Sequence, residues 1–137
     1  MPGSEIYRKI LQICRRDPRY KVQAYQFILE SLDFTMRKLN RHGLAGREKH
    51  ITGRELLEGL REYALQQYGL MTRTVFSSWG ISSTEDFGNV VFNLVEDELL
   101  NKTEDDSPEE FKDVYDFEEV FERNYRIPIS WDAIDEP

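Results

Sequence analysis

The sequence predicts a mainly α-helical domain of five to six helices, with a winged-helix-like C-terminal half and a minor β element near residues 101–129. Three features predict it. Val22, Tyr25, Leu29, Leu32, Met36 and Leu39 recur at alternating three- and four-residue steps, a heptad seam. "ITGRELLEGLREYALQQYG" opens with Thr52 and Glu55 at capping-box spacing and closes on Gly69, a left-handed stop. "FSSWGISSTEDFGNVVFNLVEDELL" passes through Gly80–Ile81 into a long amphipathic stretch, the outline of a helix-turn-helix.

Each element has its own signal. Ser4 to Arg16 is a helix with Ile6, Ile10, Ile13 and Cys14 on one face. Pro18 ends it, since the residue before proline avoids helical geometry, and Asp17 is placed to cap the next helix with Pro18 in its first turn. That helix runs from Pro18 to Asn40, and Ala24, Phe27, Ile28 and Phe34 widen its apolar face enough to make it central. "NRHGLAGREKH" is a loop broken at Gly43 and Gly46. From Thr52, the next helix turns Leu56, Leu57, Leu60, Tyr63, Ala64 and Tyr68 inward, with Ile51 as a staple. "LMTRTVFSSWG" gives a shorter helix with Leu70, Met71, Val75, Phe76 and Trp79 as its apolar set. Ser82 or Ser83 then caps a helix over 83–100, with Glu85 or Asp86 three residues on and Phe87, Val90, Val91, Leu94, Val95 and Leu99 inward. Residues 101–112 fit either a hairpin with an acidic tip or a new turn of helix begun by Ser107-Pro108-Glu109-Glu110. Asp116 to Asn124 is a short helix with Phe117, Val120 and Phe121 inward and an Asp116–Glu119 cap pair. "YRIPISW" is extended and 130–137 is a frayed tail.

At 137 residues the chain reads as one domain: a basic helical pair and loop (1–50), a helical half (51–129) and the tail. Cys14 is the sole cysteine, which excludes a disulfide framework and a cysteine zinc cage; in an apolar stripe it reads as an inert thiol. No leading apolar stretch resembles a signal peptide, and no window approaches the ~18 apolar residues of a membrane span. A cytoplasmic protein with no membrane contact is expected. The net charge of -8 is polarised: residues 1–75 hold 14 Lys/Arg against 8 Asp/Glu, and residues 76–137 hold 4 against 18. Such a chain can dock its own ends together, pair with a copy of itself, or receive a basic partner.

The helix-turn-helix outline fails the charge requirement of a DNA reader. No Lys or Arg lies between Thr74 and Asn101, and the polar face of the would-be recognition helix carries Glu85, Asp86, Asn89, Asn93, Glu96 and Asp97. Affinity for nucleic acid comes largely from cations that displace counterions, and this helix has none. Those six residues are therefore the candidate contact surface for a protein partner. The alternative is a nucleic-acid-binding patch on the first half, built from Arg15, Arg16, Arg19, Arg37, Lys38 and Arg41 with Lys21, Arg47 and Lys49 nearby.

No catalytic, cofactor or metal signature is present. The glycines lack phosphate-loop spacing, there is no G-x-S-x-G elbow, and "DDSPEE" lacks the alternating ligands and glycine of an EF-hand. His42 and His50 flank a glycine loop without cysteine or carboxylate at metal spacing. Asp33, on a largely apolar helix, is one turn from Arg37 and pairs with it in the structural reading. The segments "DPRYKVQAYQFILESLDFT", "ITGRELLEGLREYALQQYG", "RTVFSSWGISSTEDFGNVVFNLVEDELL" and "FKDVYDFEEVF" together resemble a family of small bacterial proteins of uncharacterised function. The resemblance covers Ile6 to about Tyr125. It implies a self-contained small protein and carries no activity, ligand or site residue with it. The expectation is a non-enzymatic binding or regulatory module without cofactor, whose contact is an unknown protein partner or a second copy of itself.

Overall fold

The computed structural model of the chain describes residues 2–41, 43, 50–101 and 106–123. His42, Arg47 and Lys49, the acidic tip at 102–105, the extended segment 125–131 and the tail lie outside the described residues. Five α-helices are present: α1 (Pro2–Arg16), α2 (Val22–Lys38), α3 (Gly53–Tyr68), α4 (Thr72–Ser78) and α5 (Thr84–Glu96). Short 3₁₀ turns cover Gly69–Met71 and Pro108–Phe111, and a π turn covers Glu119–Arg123. The chain is mainly α-helical, and no strand occurs among the described residues.

The core is aromatic. Phe76 is fully buried and packs its ring against Phe27, Trp79, Phe87, Phe117 and Phe121, so α2, α4, α5 and the 117–121 segment meet at one side chain. Ile10, Ile13, Ile28, Leu57, Leu60, Val90 and Leu94 fill the remainder. The cap at Thr52 forms as expected, with Glu55 N–H donating to Thr52 Oγ1 at 3.1 Å and Thr52 N–H to Glu55 at 3.0 Å. Of the two readings left open after residue 100, the described part takes the helical one: Glu110 reaches back to the Ser107 N–H and the chain turns over 108–111. Asp116 accepts from the Glu119 N–H, and Phe117, Val120 and Phe121 are buried.

Four expectations need correction. Asp17 does not cap α2, which starts after Lys21. Its carboxylate is taken by Arg19, at 2.8 Å from both Nε and Nη2, and by Asn93 of α5, so the 17–20 stretch becomes a turn. Ile6 does not join Ile10 and Ile13 in the core. Residues 5–9 are all exposed, because α1 is covered only over its C-terminal half. Leu70 and Met71 are 49% and 58% exposed, since the 3₁₀ turn rotates them outward; Thr72 is buried instead, its hydroxyl donating to the Gly69 carbonyl at 2.7 Å. The helix begun at Thr84 ends at Glu96, four residues early, with Glu98 at φ 63°.

The most buried line of α2 is also shifted from the seam. Ala24, Tyr25, Phe27, Ile28, Ser31 and Thr35 are buried, whereas Leu29, Leu32 and Met36 are half-buried and Leu39 is exposed. Two small polar residues sit inside this face, and Gly59 of α3 lies against one of them, Thr35. A Cβ on Gly59 would lie 1.9 Å from Thr35 Oγ1, a hydroxyl that donates to the Ser31 carbonyl. Gly59→Ala is expected to destabilise by about 2 kcal/mol net, overpacking outweighing alanine's ~1 kcal/mol better helix propensity. A lower urea midpoint at unchanged slope would show it. Ser31 is the counter-example: its hydroxyl is buried without a hydrogen-bond partner. Ser31→Ala is expected to be neutral or up to about 1 kcal/mol stabilising in the same assay.

Candidate functional site

Asp86, Asn89, Asn93 and Asp97 follow one another at helical spacing and form a polar stripe along α5, beside its apolar face. That stripe faces the chain's own α1–α2 junction. The Asp86 carboxylate accepts the Ser82 and Ser83 N–H groups at 2.9 and 3.2 Å, holding the N-terminus of α5, and the Tyr20 hydroxyl at 2.7 Å. Asn89 donates to the same tyrosine oxygen at 2.9 Å. Asn93 donates to Asp17 at 2.9 Å and to the Tyr25 hydroxyl at 3.1 Å. Asp97 pairs with Arg16 at 2.8 Å, and Glu96 stands 3.7 Å from the same guanidinium. The basic end of α1 and the acidic end of α5 are therefore docked within one chain.

The backbone makes this docking possible. Gly80 takes φ 89°, which side chains rarely adopt, and a Cβ there would lie 2.1 Å from the Arg19 carbonyl oxygen. The Lys21 N–H donates to the Trp79 carbonyl at 3.1 Å, so the α4–α5 turn rests on the α1–α2 turn. The electrostatics follow. Hydrogen bonds from the Arg19 side chain, with Asn93 and the Arg19 N–H, hold the Asp17 carboxyl far below the usual carboxylate range against its burial. Burial pushes the Asp86 carboxyl upward, but the N–H and hydroxyl donors of Ser82, Ser83 and Tyr20 outweigh it and leave it lowered. Burial pushes the Tyr20 hydroxyl up to about 12 and raises Tyr25 as well. Asp17 and Asp86 thus act as acceptors, and Tyr20 donates to Asp86 while Tyr20 and Tyr25 accept from Asn89 and Asn93.

Of the six predicted contact residues, Asp86, Asn89, Asn93 and Asp97 are thus engaged internally and half-buried, while Glu85 and Glu96 are exposed. Glu85 accepts from the Asp113 N–H at 3.2 Å and still faces solvent. Glu98, Glu109 and Asp113 are exposed as well. The basic candidates are not brought together. Arg15, Arg16 and Arg19 lie at one end of α2, and Arg37, Lys38 and Arg41 at the other, separated by a 17-residue helix that spans about 25 Å. Arg19 pairs with Asp17, Arg37 with Asp33, Lys38 with Glu62, and Arg41 with Glu55. Arg15 is exposed. Sequence reasoning missed Asp17, Tyr20 and Tyr25 as the partners of the α5 stripe. The four-residue polar stripe beside an apolar one was the available signal, since a second continuous face on a short helix needs something to meet.

A second feature has no counterpart in the sequence reading. A groove of about 500 Å³ opens between α2, α3, α5 and the 106–111 segment. Leu32 and Met36, Val91 and Val95, and Leu100 and Phe111 form its walls. His50, Asp106 and Glu110 stand at its polar edge, His50 Nε2 lying 3.0 Å from Asp106. Glu110 accepts from two backbone donors, Gly53 N–H at 3.1 Å and Ser107 N–H at 3.3 Å. Cys14 is half-buried, and burial raises its thiol above the ordinary range, which keeps it a poor nucleophile.

Among the described residues, no group of three or more His, Cys, Asp or Glu side chains is placed to hold a metal ion, and no helix is long and apolar enough to cross a membrane. Comparison of the chain with protein-family models, with curated proteins and with solved structures gives no match.

Proposed function

We propose that the chain is a non-enzymatic binding or regulatory module that receives a basic protein partner on the acidic surface running from Glu85 along the exposed ridge of α5 to Glu109 and Asp113. One observation carries this reading. Arg19, Arg37, Lys38 and Arg41 each stand in an ion pair, while Glu85, Glu98, Glu109 and Asp113 face solvent with no cation against them among the described ion pairs. An acidic surface of this kind steers and orients a basic partner. The α3–α4–α5 order, with its Gly80–Ile81 turn, belongs to the same reading as a winged-helix-like scaffold used for protein contact. Its base-reading positions, Asn89 and Asn93, are spent on tyrosine and aspartate. A cytoplasmic bacterial protein fits the reading, as does the resemblance noted above.

Fluorescence anisotropy with a panel of Lys/Arg-rich helical peptides over a salt series tests it. Glu85→Lys/Glu96→Lys/Glu109→Lys is expected to weaken binding about tenfold or more and to flatten its salt dependence. Asp86 is left intact because it holds α5. Equal binding by wild type and variant contradicts the proposal. The alternative, nucleic acid on the basic residues near α1, predicts a gel shift with mixed RNA and DNA at low salt that Arg15→Glu/Arg19→Glu abolishes.

A further inference from the structure

The groove and the uncovered turns of α1 are chemical complements. The groove is apolar, and its edge carries the Glu110 side chain, with Glu109 exposed in the same turn. Its volume lies within the roughly 300–1,000 Å³ range of built clefts. The first turns of α1 project past the helices that cover its C-terminal half. Ile6 and Tyr7 are 39% and 46% exposed there, beside exposed Arg8 and Lys9. Two adjacent large apolar residues, exposed together and followed directly by two cations, form a surface suited to an apolar groove with an acidic edge. Neither Ile6 nor Tyr7 lines the groove of its own chain.

We infer that the groove receives the N-terminal turns of α1 from a second copy of the chain. Ile6 and Tyr7 enter between Met36, Val95 and Phe111, and Arg8 and Lys9 meet the Glu109–Glu110 edge. The contact is head to tail: each copy offers a helix with one surface and a groove with another, so the assembly either closes into a ring or extends. It is small, charge-assisted and therefore weak, favoured by high concentration and low salt. This goes beyond the partner surface proposed above: it adds the groove walled by Val91 and Val95 and shares only Glu109 with that surface.

Sedimentation velocity of the full chain across concentration and salt tests it. The expected result is mass rising with concentration at low salt and falling as salt is added. Tyr7→Glu, on an exposed site, is expected to weaken self-association about tenfold or more. Val95→Lys in the groove is expected to do the same, with Met36→Lys as the second groove variant should circular dichroism show Val95→Lys unfolded. The decisive arm mixes the two classes. Tyr7→Glu keeps its groove and Val95→Lys keeps its helix, so together they form a dimer that neither forms alone and that cannot grow. A wild type that stays monomeric at every concentration and salt overturns the inference, and so does a mixture that gives no dimer. Glu85→Lys/Glu96→Lys, which leaves the groove alone, is expected to lose basic peptides and keep self-association; Val95→Lys is expected to do the reverse.

Discussion

Phe76→Ala is expected to lower the free energy of unfolding by about 3–5 kcal/mol, the range for deleting a fully buried aromatic side chain. Phe76 is 0% exposed, and its five ring neighbours stand 5.0–5.7 Å away between centroids. They come from α2, the end of α4, α5 and the 117–121 segment, so the void opens where four parts of the chain converge and none can close over it alone. Edge-to-face pairs with Phe27, Phe87 and Phe121 are lost together with the buried area. Phe34→Ala supplies the contrast: Phe34 is half-buried, and the ring pair it makes is with Tyr63 at 5.2 Å. Its loss is expected to cost about 1–2 kcal/mol. Urea denaturation checks both, and equal midpoints for the two variants would remove Phe76 from the centre of the core.

Asp86→Ala is expected to cost about 3 kcal/mol at neutral pH. Part is the lost restraint on the start of α5, worth about 1–2 kcal/mol. The rest is the Tyr20 hydroxyl, 2% exposed as a residue, whose proton loses its acceptor and which retains only the Asn89 donor. Acid supplies an independent check with a definite sign. Both Asp86 and Asp17 are held below their ordinary range in the folded chain, so their contribution is fully present above the unfolded carboxylate value of about 3.9 and is lost as pH falls through the folded values. The stability gap between wild type and Asp86→Ala is therefore expected to be constant from about pH 7 to 5 and to narrow below about pH 4. A gap that stays the same down to pH 2 would mean the carboxylate is not bonded in its charged form.

What the sequence disclosed, and what it withheld, divides by distance along the chain. Thr52 with Glu55, Ser107 with Glu110, Asp116 with Glu119, and the Gly80 stop are local arrangements whose partners lie within four residues, and each was legible because a helix end has few ways to satisfy its free N–H groups. Asp17 was misassigned because its local option, capping α2, competes with an arginine two residues on and an asparagine 76 residues away. Ser31 and Thr35 are buried although hydropathy marks small hydroxyl residues as neutral, and at Thr35 the approach of Gly59 selects for small size. The candidate surface divided the same way. The charge imbalance was plain in composition, but Asp86, Asn89, Asn93 and Asp97 differ from Glu85 and Glu96 only in which neighbour the fold brings to them. The groove left no trace, since its walls come from segments as far apart as Leu32 and Phe111.

Phe111 holds a consequence for how the protein comes apart. Its ring lies where Gly53 of α3 and Gly88 of α5 present bare backbone; a Cβ at either position would sit 2.9 and 2.8 Å from ring or adjoining carbons of Phe111. One aromatic plate thus fastens the 108–123 stretch across two helices that come from distant parts of the chain. Withdrawing it uncouples both helix faces in a single event. Amide exchange is accordingly expected to release the start of α3, the middle of α5 and residues 108–111 as one cooperative unit, ahead of the Phe76 cluster.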